Sequence, residues 1–247
     1  MTPAGHLIFF TTCFVSIALQ TGIGFGFPLC AMIVLPYLFP YSEALALTQG
    51  TALFSTLYLA LRFRKSIRWD VLLPVLIPAA VAGVLFTAFS FTVGSAEIRI
   101  MLGAALVLVS VWFLAFASRV RITPKKSTGI IMGIISGAGS GLFGIGGPPA
   151  GLYLMPAIGD KTEYTATIQT LFSICNIINL SVRLMLGTHS SSYLPLFAEG
   201  AVAVSAGTLF GVWVLKRIKT DTLAKAVYIF VGVTGTVMIF QNLNVLK

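Results

Sequence analysis

The chain has 247 residues, 57% of them hydrophobic and 9% charged, with a formal net charge of +9. Soluble globular domains carry roughly 25% charged residues, so this composition excludes a water-soluble enzyme or binding domain. The basic residues sit in short loops between apolar runs and form no solvated basic face, so no nucleic-acid partner is expected and the lipid bilayer is the expected surrounding. In chain order, the first apolar region, 5–40, is too long for one straight helix and is interrupted at Thr21-Gly-Ile-Gly-Phe-Gly-Phe-Pro28. No basic stretch precedes it, so residues 7–20 are expected to belong to the mature protein and not to a cleaved signal. Runs at 43–61, 71–90 and 97–117 follow, each of about the 20 residues that an α-helix needs to cross ~30 Å of hydrocarbon. A second interrupted region, 127–158, contains Gly141-Leu-Phe-Gly-Ile-Gly-Gly-Pro148, and runs at 163–184, 193–215 and 222–241 complete the chain. The reading is an all-α integral membrane protein with six full spans and two broken segments.

Charge sets the expected orientation. Arg62, Arg64, Lys65 and Arg68 follow one span, Arg119, Arg121, Lys125 and Lys126 another, and Lys216, Arg217 and Lys219 a third. By the positive-inside bias these loops, 62–68, 119–126 and 216–219, are placed in the cytoplasm, in a plasma or inner cell membrane. Between the second and third loops the chain must cross an even number of times, yet it holds two clear spans and the broken segment 127–158. That segment must therefore turn back as a re-entrant hairpin or cross twice. The same reading of 5–40 makes each half a broken hairpin followed by three transmembrane helices. Three is odd, so the halves are two inverted repeats, 1–120 and 121–247.

At an offset of 120, Gly24, Gly26, Pro28, Pro36, Glu43, Ala46 and Gln49 meet Gly144, Gly146, Pro148, Pro156, Glu163, Ala166 and Gln169. An apolar background does not supply matched Gly, Pro, Glu and Gln. Gly and Pro loosen helices and leave backbone groups unpaired. In hydrocarbon such groups are tolerated where protein or a water-filled cavity meets them, and matched breaks in two halves point to a transporter's binding site. Pro28 and Pro148 suit the first turn of short helices at 28–39 and 148–157. Free N–H groups and positive helix ends are then expected near Gly26–Leu29 and Gly146–Ala150, a seat for an anion built without a full charge. Gly24, Gly26, Pro28, Gly144, Gly146, Gly147 and Pro148 are the candidate binding residues. Gln169, Ser173 and Asn176 share one helical face; Gln49 and Thr56 are their first-half counterparts, so Gln49, Gln169 and Asn176 join the candidate site.

These features, with Gly144-Ile-Gly-Gly-Pro-Pro149 as the sharpest motif, resemble the TauE/SafE family, the sulfite exporter or TSUP family, over essentially the whole chain. The resemblance implies transport of sulfur-containing anions such as sulfite, thiosulfate, sulfonates or sulfoacetate-like acids. The first half departs from the motif, with Phe27 where the second has Gly147 and Leu29 where it has Pro149.

The remaining polar residues offer competing readings. Glu199, inside the run 193–215, is the candidate for proton coupling, or for a pair with Arg183. Arg183, near a span end, is expected to snorkel to the surface. Cys13, Cys30 and Cys175 lack metal-ligand spacing and are expected in the core; no metal, cofactor or catalytic site is expected. An anion or small-solute channel would use the same paired half-helices. A remoter alternative is a rhomboid-like intramembrane serine protease, with Ser140 of Gly137-Ala-Gly-Ser-Gly141 as nucleophile and His189 as base.

Overall fold

The computed structural model describes residues 2–23, 26–115, 123–188, 194–215 and 220–243. They form ten α-helices: α1 (Pro3–Ile23), α2 (Phe27–Leu38), α3 (Tyr41–Arg62), α4 (Trp69–Phe89), α5 (Ser95–Ala115), α6 (Lys126–Phe143), α7 (Gly147–Ala157), α8 (Lys161–Met185), α9 (Leu194–Leu215) and α10 (Thr220–Leu243). Seven of them, α1, α3, α4, α5, α8, α9 and α10, are long and apolar enough to cross a membrane. The sequence reading counted six, because it took residues 5–40 as one broken segment. Its long arm, α1, has 21 residues, about 31 Å of helix, and qualifies as a span itself.

The breaks fall where glycine and proline interrupt the apolar pattern. Each produces one long and one short arm: α1 with the 12-residue α2, and α6 with the 11-residue α7. Short arms of about 16–18 Å reach roughly halfway through the hydrocarbon. The second pair turns back on itself, since the Tyr153 ring of α7 lies against Gly129 in the first turn of α6. Next along the chain, Asp160 caps α8 by accepting from the N–H groups of Thr162 and Glu163, both at 2.8 Å. Such a cap supplies partners that the first turn lacks.

Packing is exchanged between the halves. The long arm α6 lies along α4, and α1 lies along α9. Both pairs are parallel: Gly133, Gly137 and Gly141 meet Val75, Ala79 and Gly83 in order, and Phe14 and Ala18 meet Gly207 and Gly211. The other two major pairs are antiparallel. α3 meets α8 through Ser42 with Thr188 and Gln49 with Arg183, and α5 meets α10 through Gly103 with Gly235 and Phe113 with Tyr228. In a bilayer no hydrophobic force drives helices together, so close backbone packing at small residues takes its place. The outer faces carry the apolar surface that lipid covers, as at Leu73, Ile77, Val81 and Leu85 of α4 and Ile130, Ile131, Ile134 and Ile135 of α6.

Several basic segments share one face of the bundle. Arg68, before α4, bonds Glu163 (3.3 Å) and, through its N–H, Thr167 (3.0 Å) of α8. Asp70 completes this cluster, and the two carboxylates hold the Arg68 guanidinium well above its ordinary pKa. The parallel packing of α6 on α4 brings Lys125 and Lys126 to the same end. Arg119, Arg121, Lys216, Arg217 and Lys219 lie outside the described residues.

Candidate functional site

Both breaks open onto one cavity of about 40 Å3, between α1, α2, α3, α6, α7 and α8. That is room for more than a single water. Ten of its seventeen lining residues form pairs related by the offset of 120: Gln20 with Ser140, Gly26 with Gly146, Pro28 with Pro148, Ala52 with Phe172, and Thr56 with Asn176. Thr56 and Asn176 also lie near the midpoint of the antiparallel α3/α8 pair, whose ends are marked by Ser42 with Thr188 and by Arg68 with Glu163.

Each break is held by side chains from the preceding long arm. Gly26 adopts φ 135° and Gly144 φ 75°, conformations that a side chain disfavours. Gln20 accepts from the Phe27 N–H at 2.8 Å, and the Ser136 hydroxyl donates to the Gly146 carbonyl at 2.7 Å. The free N–H groups are fewer than the sequence suggested. Gln20 takes the Phe27 N–H, while Pro28, Pro148 and Pro149 have none to offer. Leu29 in α2, and Gly147 and Ala150 in α7, carry the first-turn donors that remain.

At the opposite pole, the end of α6 leaves carbonyls without intrahelical partners. Side chains from α3 and α8 cap them. Tyr41 donates to the Leu142 carbonyl (2.8 Å) and Arg183 to that of Gly141, while Gln49 (3.2 Å) adds a second donor to the Ser140 carbonyl beside the Gly144 N–H (3.0 Å). The remaining Arg183 donors reach Gln49 Oε1 and Ser90 Oγ, each at 3.3 Å.

A profile described as Sulfite exporter TauE/SafE matches residues 8–238. The chain belongs to this family. It is therefore a multi-pass membrane transporter of small sulfur anions such as sulfite, and not an enzyme. No curated protein and no solved structure matches it significantly.

Within this TauE/SafE transporter, the structure gathers Gly26, Pro28, Gly144, Gly146, Gly147, Pro148 and Asn176 around the cavity. Gly24 lies outside the described residues. Gln49 and Gln169 are buried but do not line the cavity: Gln49 is a helix cap, and Gln169 Oε1 has no hydrogen-bond partner. Two expectations are corrected. Arg183 does not snorkel; it is fully buried, because unpaired carbonyls at the end of α6 await donors there. Glu199 does not pair with Arg183 but with His6 of α1, at 2.7 Å, since parallel packing of α1 on α9 aligns the beginnings of those helices. The Ser140 hydroxyl accepts from Asn179 at 2.9 Å; His189, the base of the protease alternative, lies outside the described residues. Sequence reasoning overlooked Gln20 and Ser136 as break-holding residues. The offset of 120 sets Gln20 opposite Ser140 without an identity to mark it, and nothing in the sequence flags Ser136.

Proposed function

We propose that this transporter carries a small inorganic sulfur oxyanion of the sulfite class by alternating access, binding it mid-membrane between the starts of α2 and α7. The observation that carries this reading is the lining by five offset-matched pairs. A site on a two-fold axis between inverted repeats, 1–120 and 121–247, would be lined in this way. The packing agrees: an in-plane two-fold sets a helix antiparallel to its image, as α3 to α8 and α5 to α10, and carries the parallel pair α4/α6 onto the parallel pair α9/α1.

Cavity size favours the inorganic anion. A cavity this small suits an ion such as sulfite or thiosulfate, whereas an organosulfonate adds a carbon chain. The lining offers neutral donors, Thr56, Asn176 and backbone N–H groups at helix starts, where the dipole favours negative charge. Neutral donors hold an anion weakly enough to release it. Glu199 paired with His6 stands away from this cavity, and we assign proton coupling to that pair as a separate function at the α1/α9 contact.

A thermal-shift panel tests the reading, with sulfite, thiosulfate, sulfate, taurine, isethionate, sulfoacetate and simple carboxylates. At about 100 times its dissociation constant a ligand should stabilise by ~2.7 kcal/mol. Sulfite or thiosulfate is expected to do so, and sulfite uptake into proteoliposomes should saturate. Stabilisation by carboxylates alone would overturn the substrate class, and unsaturable flux would favour a channel.

A further inference from the structure

The two-fold pairing of α3 with α8 leaves one buried charge without a counterpart. In the antiparallel α3/α8 pair Gln49 faces Arg183. The related position facing Gln169, 120 residues before Arg183, is occupied by Phe63. Gln169 thus has no donor where Gln49 has one, and its Oε1 is left unpartnered. Arg183 itself is fully buried and bonds to three neutral oxygens, those of Gln49, Ser90 and Gly141. Ion pairs among the described residues engage Glu199, Asp70 and Glu163, never Arg183. The carbonyl end of α6 offers it only about half a negative charge. An uncompensated cation in this setting is costly to fold, and a neutral residue of similar volume would be less so.

We infer that Arg183 is the fixed counter-charge of the transported anion, and that it tunes the site toward doubly charged oxyanions. This rests on the sulfur-anion reading above. Arg183 stands two helical turns beyond the cavity-lining Asn176, about 10 Å along α8, so it acts through space on the seat and not by contact. Across that distance, in a medium of intermediate effective dielectric, one unit of ligand charge gains roughly tenfold in affinity and two units roughly a hundredfold. The bound anion in turn supplies the negative charge that the folded chain lacks.

The test uses the full-length chain in detergent and sulfite as the probe, titrated calorimetrically below and above the second ionisation of sulfite. The ratio of each variant to wild type at each pH cancels the titration of other groups. Arg183→Gln should weaken binding of the singly charged form roughly tenfold and of the doubly charged form roughly a hundredfold. Arg183→Lys should keep the preference for the doubly charged form. Gln49→Glu places a carboxylate beside Arg183 and neutralises it without emptying the position; it should lose the preference as Arg183→Gln does, and it serves if the latter does not fold. Equal losses for both charge forms, or Gln49→Glu behaving as wild type, would overturn the inference while leaving the sulfur-anion reading intact. Failure of wild type to bind sulfite at either pH would instead remove that reading, and this one with it.

Discussion

Thr56 presents a hydroxyl at the cavity that is buried without a hydrogen-bond partner, and such a group normally costs stability. Thr56→Val keeps the shape and removes the polar atom. Stability should be unchanged or slightly raised, while sulfite affinity should fall roughly 10- to 100-fold, the worth of a hydrogen bond to a charged group at ~1.5–3 kcal/mol; calorimetry and thermal melts read the two effects separately. Gly146 is the more severe position, because a Cβ there would lie 2.9 Å from the Ser136 carbonyl oxygen and 3.1 Å from Ser140 Cβ. Gly146→Val should abolish uptake while membrane insertion persists, and full transport would remove the anion seat from this loop. The two glutamines separate by structure. Gln49→Ala strips a partner from both Arg183 and the Ser140 carbonyl and should cost roughly 1–3 kcal/mol, whereas Gln169→Ala removes an already unpartnered Oε1 and should cost less. Melting both variants checks the order. Sequence symmetry treats Gln49 and Gln169 alike; what sets them apart is Arg183 against Phe63, a difference visible only once α3 and α8 are known to run antiparallel.

The helices themselves were legible because membrane spans announce their length and apolarity, and the breaks because Gly24, Gly26 and Pro28 repeat as Gly144, Gly146 and Pro148. Which helices touch was not legible. No pattern in α6 says that it lies on α4, although Gly129, Gly133, Gly137 and Gly141, spaced four apart, mark one face for close approach. On that face Gly137 fits against backbone: a Cβ would come within 2.8 Å of Ala79 Cα, and backbone cannot yield as a flexible side chain does. Gly137→Val should force α4 and α6 apart at a cost of roughly 3 kcal/mol, seen as loss of monodisperse protein in size-exclusion chromatography. Gly159→Ala, with nothing within 4 Å of the added atom, is the control and should behave as wild type. An undisturbed Gly137→Val protein would show that this contact is looser than its backbone geometry demands.

At the scale of the molecule, exchange of the long arms means that neither half can fold its cavity wall alone: α6 of the second half supplies Ser136, Ser140 and Gly144, and α3 of the first supplies Ala52 and Thr56. Orientation in the bilayer then follows from one face. The loop carrying Arg68, the start of α6 with Lys125 and Lys126, and the start of α8 with Lys161 lie together, and by the positive-inside bias this face is expected on the cytoplasmic side. The turn between α4 and α5, with Ser95 exposed, lies at the other end of α4. Cys13, Cys30 and Cys175 are buried, so single cysteines can be introduced over a low background. Ser66→Cys and Ser127→Cys should resist a membrane-impermeant thiol reagent added outside intact cells, and Ser95→Cys should react. Permeabilising the membrane should then expose Ser66→Cys and Ser127→Cys. Outside labelling at Ser66 with protection at Ser95 would invert the orientation, and outside labelling at only one of Ser66 and Ser127 would break the shared face on which the inverted-repeat topology depends.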